Sequence, residues 1–322
     1  MTSSKPTLAV VIPVFNEQEV IPELLSRLTA VFDQLSEIQA EVFFVDDGSR
    51  DQSAALLTEA STRDPLFQLI RLSRNFGFQA ALLAGLRHAA EKCDLVITMD
   101  ADLQDPPELM PQMIKSWLAG AEVVLALRRT RADTGPRRLG FDLFHRLFAR
   151  LVDSPVEPNT GTFGLMNRAA LDALLSLPER NRFFPALRSW VGFRVEHVHY
   201  DREKRFAGEP GQTFSKLVRY ALDGIFSFSY LPLRLLTYSG LLVAGCGFSV
   251  AVFFTLKRLL GQEIAFTGFT TLVTLMLLLG GIQLIGIGIL GEYLGRIYDE
   301  VKNRPHFIVR RPPSVPDKAS IK

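Results

Sequence analysis

Near residue 232 the sequence changes character, and that change limits the architecture more than any single motif. Before it, apolar and charged segments alternate; after it, residues 235–256 and 264–291 contain no formally charged side chain. Coiled as helices at about 1.5 Å per residue, both runs are long enough to cross the ~30 Å hydrocarbon layer of a bilayer. Buried helices of a water-soluble core are usually shorter and keep a polar stripe, which neither run has. The expectation is two membrane spans. Two crossings return the chain to its starting side, and the tail beyond residue 291 carries Arg296, Lys302, Arg304, Arg310 and Arg311, as the positive-inside tendency asks of a cytosolic segment. Tyr293 and Tyr298 fall where an interfacial aromatic belt would lie, whereas Lys257 and Arg258, between the two runs, go against the tendency. The opening MTSSKPTLAVVIPVFNE has a short apolar run and no cleavage-site pattern. It does not read as a secretory signal, so the amino-terminal domain is expected on the cytosolic face of the plasma (inner) membrane.

In the first two hundred residues, LAVVIPVF, AEVFFVDDG, FQLIRLS, DLVITMDAD and EVVLALRR are separated by segments of helical spacing such as 20–35 and 107–118. Near-continuous apolar strands joined by helical crossovers predict an α/β domain with a parallel sheet covered on both faces. A chain of 322 residues, 48% hydrophobic, has room for one domain of roughly 200 residues and a smaller part. Lys+Arg 36 against Asp+Glu 34 leaves a net charge of +2, so no overall field argues for nucleic acid. Cys93 and Cys246 cannot build a disulfide framework and suit a reducing compartment; five scattered histidines without Cys/His spacing argue against zinc.

In sheets of this kind, ligands bind beyond the carboxyl ends of the strands. The first strand ends in PVFNE, the second in DDGSRD and the fourth in DADLQD, which brings Glu17, Asp46, Asp47, Asp100, Asp102 and Asp105 to one rim. Crowded carboxylates repel one another unless a divalent cation sits among them. Hard oxygen ligands suit Mg²⁺ or Mn²⁺, which commonly bridges protein carboxylates to phosphates, so the rim predicts a metal-bound nucleotide. Each piece alone has a plainer reading as a turn or a helix cap: Asp51 after Gly48 and Ser49 is one, and Asp105-Pro106-Pro107 reads as a helix start.

In this order, VIPVFNE, VDDGSRD and MDADLQDPPE resemble the family-2 glycosyltransferases, whose GT-A fold is a Rossmann-like nucleotide-sugar-binding domain. Downstream, SRNFGFQAALLAGLRHA, RSWVGF, DREKRFAGE and GGIQLIGIGILGEYLGRIYDEVKNRPHF resemble the polyprenyl-phosphate glycosyltransferases, relatives of dolichol-phosphate mannose synthase with two carboxy-terminal membrane spans. The likeness runs from residue 8 to about 308. It implies inverting transfer of a hexose-type sugar from a UDP- or GDP-linked donor to polyprenyl phosphate at the cytosolic membrane face. By matched position, Pro13, Phe15, Glu17 and Asp46, with Asp47 beside them, belong to the base and ribose site. Asp100, Ala101, Asp102 and Gln104 surround the metal and diphosphate, with Asp100, Asp102 and Gln104 as metal residues; Arg128 faces the donor. Arg202 and Arg205 match phosphate-facing arginines, whose planar forks suit bidentate contact, and join Asp100 and Asp102 as catalytic candidates. The expected organisation is a catalytic domain over residues 1–212, an interfacial segment over 213–233, two spans over 234–292 and a cytosolic tail over 293–322.

Two departures from the family pattern stand out. Where many relatives carry an acid in Gly-Asp-Phe-Arg, this chain reads GTFGLM, with Thr162 and Gly164. A phosphate monoester has a second pKa near ~6, so the acceptor oxygen is largely deprotonated at neutral pH and a general base is not obligatory. Where relatives read Gly-Glu-Ser-Lys-Tyr, GEPGQTF puts Pro210 and Gly211, leaving Lys204 or Lys216 to supply a cation. Two other segments have the pattern of interfacial helices: 137–152, with Phe144, Leu147, Phe148 and Leu151 on one face and arginines elsewhere, and 214–232, through Phe214, Leu217, Leu222 and Ile225. Gly-rich spans allow close helix contact, and a homo-oligomer is among the expectations. A processive polysaccharide synthase shares the fold but usually adds a Gln-x-x-Arg-Trp motif and more spans. A noncatalytic membrane scaffold is the third reading, against which the intact DAD and arginines stand.

Overall fold

The computed structural model describes residues 5–128, 160–180, 182–201, 230–260 and 268–310. They fall into two compact units: one combines the amino-terminal part with residues beyond 304, the other spans the long helices up to Arg304.

The first unit is built on a seven-stranded sheet in the order β3-β2-β1-β4-β6-β5-β7. Its strands are β1 (Thr7–Val14), β2 (Gln39–Asp46), β3 (Phe67–Arg71), β4 (Leu95–Thr98), β5 (Val123–Arg128), β6 (Thr160–Asn167) and β7 (Val195–Tyr200). The crossovers carry α1 (Ile21–Asp33), α2 (Ser53–Arg63), α3 (Phe78–Ala90) and α4 (Met110–Leu118), the last preceded by a 3-10 turn at Pro107–Leu109. Two further helices, α5 (Arg168–Ser176) and α6 (Phe184–Trp190), lie between β6 and β7 in sequence. Pairing is parallel throughout β3-β2-β1-β4 and between β5 and β7, but β6 runs antiparallel to both β4 and β5. The all-parallel expectation is thereby corrected. The sequence of β6, TGTFGLMN, is interrupted by two glycines, which weaken a strand signal, and so it did not stand out.

The apolar strands become strands because both sheet faces are covered: Leu8 to Ile12 and Val42 to Val45 are almost wholly inaccessible. In α1, Pro22 suits the first turn, and Ile21, Leu24, Leu28 and Val31 recur at the three-to-four spacing that places them on one buried face. On α3, Gly85 is packed so closely on the sheet that an added Cβ would lie 2.3 Å from Val11 Cγ1. That contact seats α3 against β1 and β2 and fixes where the helix begins, at the rim. The outer edge of β3 is covered by residues after the second long helix. Leu72 and Val309 form an antiparallel bridge, Ser73 N donates to Ile308 O at 2.8 Å, and Arg310 N donates to Arg71 O at 2.7 Å. Arg87 of α3 stands over the Phe307 ring at 5.6 Å. An unpaired edge of exposed N–H and C=O groups is thus closed.

The second unit contains α7 (Leu231–Leu259) and α8 (Phe269–Val301), both long and apolar enough to cross a membrane. Leu241, Phe248, Leu284 and Ile287 are each largely exposed, so these are not the core helices of a water-soluble body. The two helices approach where Gly286 meets Leu236: a Cβ on that glycine would lie 2.9 Å from Leu236 Cδ1.

Candidate active site

Three adjacent parallel strands, β2, β1 and β4, end at the same rim, where the chain leaves a cavity of about 290 Å³. The end of β1 contributes Pro13, Phe15 and Glu17, the β2 end Asp47, the stretch before α3 Asn75 and Gly77, and the β4 end Asp100, Ala101 and Asp102. Phe15 and Phe78, also in the wall, are 42% and 39% exposed, which offers aromatic surface to a flat ligand. Phe78 carried no signal in the sequence beyond the helical pattern of its neighbours. Both loops that frame the cavity hold a non-glycine residue in the left-handed region, Asn16 at φ 56 and Leu103 at φ 58. For a leucine this costs about 1–2 kcal/mol, and such outliers gather where a loop is over-determined by its surroundings.

Hydrogen bonds show what fixes these loops. Asn16 N donates to Ser49 Oγ, Glu17 N to Ser53 Oγ and Gln18 N to Asp51 Oδ2, while Arg50 N donates to Asn16 Oδ1. Asp51 Oδ1 also accepts the Ser53 amide at 3.0 Å, at the start of α2, as a capping acid does. The expected crowd of six carboxylates does not form. Asp46 is fully buried, with Oδ1 accepting from Ser49 N and Oδ2 from Arg71 Nε at 3.4 Å, and it does not line the cavity. Asp47 accepts from Phe76 N at 2.7 Å and Gly77 N at 2.9 Å, pinning the start of α3; burial holds its carboxyl above the ordinary range. Asp105 is neither a rim acid nor a helix cap: it is fully buried on Tyr200 and Arg128. Turn and core partners thus take Asp46 and Asp47 separately, while Asp105 is turned into the core.

Four of the six expected acids line the cavity, Glu17, Asp47, Asp100 and Asp102; Asp47 is taken up by the amides at the start of α3, and Asp100 and Asp102 stand together on the β4 side of the wall. Asp100, half-buried, accepts a hydrogen bond from Thr162 Oγ1 at 2.8 Å, and its carboxyl is pushed up to about 6, chiefly by burial and then by the charge of Asp105. Asp102 Oδ1 accepts from Gln104 N at 3.1 Å, a two-residue turn that includes Leu103; the Gln104 side chain is not in the wall. Thr162 is itself held through its carbonyl, which accepts from Thr98 Oγ1 and from Arg188 Nη1, while Arg188 Nη2 donates to Gly161 O at 2.9 Å. Because β6 runs antiparallel, its first residues arrive at the rim where its neighbours finish. Arg128, at the end of β5, is the remaining described candidate. Arg202 and Arg205, the expected interfacial segment 137–152 and residues 214–229 of the second one, and Lys204 and Lys216 lie outside the described residues.

A two-carboxylate wall fits a hydrated divalent ion. Mg²⁺ typically takes one or two protein carboxylates and completes its shell with water and substrate phosphates. Among the described residues no three His, Cys, Asp or Glu side chains gather into a metal cage, and none is needed for an ion held this way.

This rim is set on a mixed α/β sheet, and comparison with known proteins gives the family. The model of glycosyl transferase family 2 matches residues 9–175, and the chain belongs to that family. It is 42% identical to an uncharacterized glycosyltransferase, YkcC, of Bacillus subtilis (strain 168), over 96% of this chain and 95% of the relative. It is also 42% identical to the bactoprenol glucosyl transferase of Shigella phage SfII, over 94% of this chain and 97% of that one. Among solved structures, a mannosyltransferase of Pyrobaculum calidifontis in complex with GDP-Man and Mn²⁺ aligns over 88% of both chains with a TM-score of 0.42 at 18% identity, a likeness too loose to decide a ligand. The protein is a glycosyltransferase, and the GT-A expectation is borne out.

Proposed function

We propose that the protein transfers a sugar from a UDP- or GDP-linked donor to polyprenyl phosphate, with inversion, at the cytosolic face of the inner membrane. The observation that carries this reading is the cavity in which Phe15 and Phe78 stand at one part of the wall and Asp100 and Asp102 at another. The name of the Shigella phage relative supports the acceptor, and two helices long and apolar enough for a bilayer suit an enzyme whose substrate is a lipid.

In this reading Phe15 and Phe78 hold the base, and Pro13, Glu17, Asp46 and Asp47 shape the base and ribose site, Asp46 and Asp47 by fixing the loops around it. Asp100 and Asp102, with Gln104 setting the turn, hold Mg²⁺ or Mn²⁺ together with the diphosphate. A bound divalent ion neutralises charge that develops on the departing nucleoside diphosphate, worth several kcal/mol. Arg128 adds a fixed positive charge on the donor side, and Arg202 and Arg205 receive the acceptor phosphate. An acceptor oxygen, already ionised, attacks the anomeric carbon from the face opposite the diphosphate. The carbon–oxygen bond to the diphosphate breaks, its electron pair leaves with that oxygen, and no protein base is consumed. Thr162 orients Asp100 rather than moving a proton. Residues 1–212 form the catalytic domain, 213–233 an interfacial segment, 234–292 the spans and 293–322 a cytosolic tail whose residues 307–310 complete the sheet edge of the catalytic domain.

The test is purified full-length protein in detergent with labelled sugar nucleotides, Mn²⁺ and polyprenyl phosphate. A labelled product that partitions into organic solvent is expected. A polymer would favour a processive synthase, and no transfer across a full donor panel a scaffold; either result overturns the proposal.

A further inference from the structure

The fully buried Asp105 has a specific task in the fold. Its Oδ1 receives the Tyr200 hydroxyl, and the same hydroxyl accepts from Arg128 Nε at 3.1 Å, while Arg128 Nη2 lies 3.7 Å from Asp105 Oδ1. The Tyr200 ring is fixed in turn by an edge-on contact with Phe163, centroids 6.1 Å apart. Burial, and then the charge of Asp105, push the Tyr200 phenol well above its ordinary range, so it stays protonated and donates. The guanidinium also lies against bare backbone: a Cβ at Gly161 would come within 2.8 Å of Arg128 Nη2. Four elements thus converge around one guanidinium: the loop after β4, β5 itself, the start of β6 and the last residue of β7.

A buried acid held by a tyrosine is an expensive way to stabilise a core, since an apolar trio of the same volume would avoid desolvating two charges. What the arrangement supplies is orientation. We propose that Asp105 and Tyr200 are positioning residues for Arg128, fixing its guanidinium at the end of β5 so that it meets the donor diphosphate without rearranging. This rests on the donor reading above and extends it to two residues that touch neither substrate nor metal.

The experiment is a double-mutant cycle in the full-length protein. Tyr200→Phe keeps the ring and its packing and removes only the hydroxyl. It is expected to raise the KM for the sugar nucleotide about tenfold, as loss of a hydrogen bond to a charged group does, with the acceptor KM unchanged and the protein folded at assay temperature, its unfolding midpoint a few degrees lower because the buried Asp105 loses a donor. In an Arg128→Ala background the same change should cost less than about twofold, because the residue it acts through is gone. Gly161→Ala, whose added methyl presses on the guanidinium itself, should reproduce the rise in donor KM without changing Tyr200 or Asp105. UDP and GDP binding in the presence of Mn²⁺ gives a readout independent of turnover. Additive effects in the cycle, a folded Tyr200→Phe protein with wild-type donor KM, or a change confined to the acceptor would overturn the inference while leaving the transferase reading intact. A wild-type protein that binds neither diphosphate and transfers nothing would remove both.

Discussion

The two halves of the sheet meet the site in opposite ways. In β2-β1-β4, parallel strands run into the rim and stop, so the residues that matter follow directly on apolar runs: Phe15 and Glu17 after β1, Asp47 after β2, Asp100 and Asp102 after β4. In β6-β5-β7 the rim is assembled from the start of one strand and the ends of two others, and its polar groups bind one another before anything else. One half presents an open surface to a ligand; the other supplies alignment from behind. The difference teaches that strand polarity decides where in the sequence a site residue is to be sought.

The sharpest way to break the contrast is to remove ligand-facing charge. Asp102→Asn should lower transfer by roughly a thousandfold while the thermal unfolding midpoint holds, since Asp102 bonds only within its own turn among the contacts described. Unchanged turnover would dismiss the two-carboxylate wall. A smaller loss is expected at the apolar part of the same half: Phe78→Ala should weaken UDP or GDP binding about tenfold or somewhat more, as loss of one base–aromatic stack does, measured by calorimetry. Equal affinity would move the base elsewhere. On the aligning half, Thr162→Val removes the hydrogen bond to Asp100 and should weaken Mn²⁺ binding about tenfold, read by the paramagnetic signal of free Mn²⁺, whereas Thr162→Ser should stay near wild type. If valine and serine behave alike, the hydroxyl has no orienting role.

The smallest effect is a control outside both halves. Arg27 donates to both oxygens of Glu108, at 2.8 and 2.6 Å, but Glu108 is half exposed, so Arg27→Ala should cost no more than about 1 kcal/mol and leave transfer unchanged. The Arg27 hydrogen bond lowers the Glu108 pKa, so the pair stabilises the fold above the unfolded carboxyl's value near ~4.3 and the contribution is lost as pH falls through the lower folded one. The stability difference between wild type and variant should therefore vanish in acid. A gap that persists there would assign Arg27 a packing role.

The same polarity explains what could be read from the chain beforehand. Strands β1 to β5 and the crossover helices declare themselves by continuous apolar runs and helical spacing, and the DAD, PVFNE and DDG ends announce the rim. Strand β7, VEHVHY, escapes notice because as an edge strand it buries little more than Val198 and Tyr200, and its polar positions look like a loop. Asp105 was misread because a sequence cannot say that a tyrosine ninety-five positions later turns an acid inward. Likewise Thr162 stood out only as a missing carboxylate, though its hydroxyl belongs to the site.

Residues 307–310 have a practical consequence. Anyone cutting the protein before its first long helix to obtain a water-soluble catalytic fragment would discard the strip that covers β3, leaving Arg71 to Ser73 ready to recruit another chain. Such a fragment is expected to clump, and grafting residues 305–310, PHFIVR, back through a glycine-serine tether should keep it dispersed.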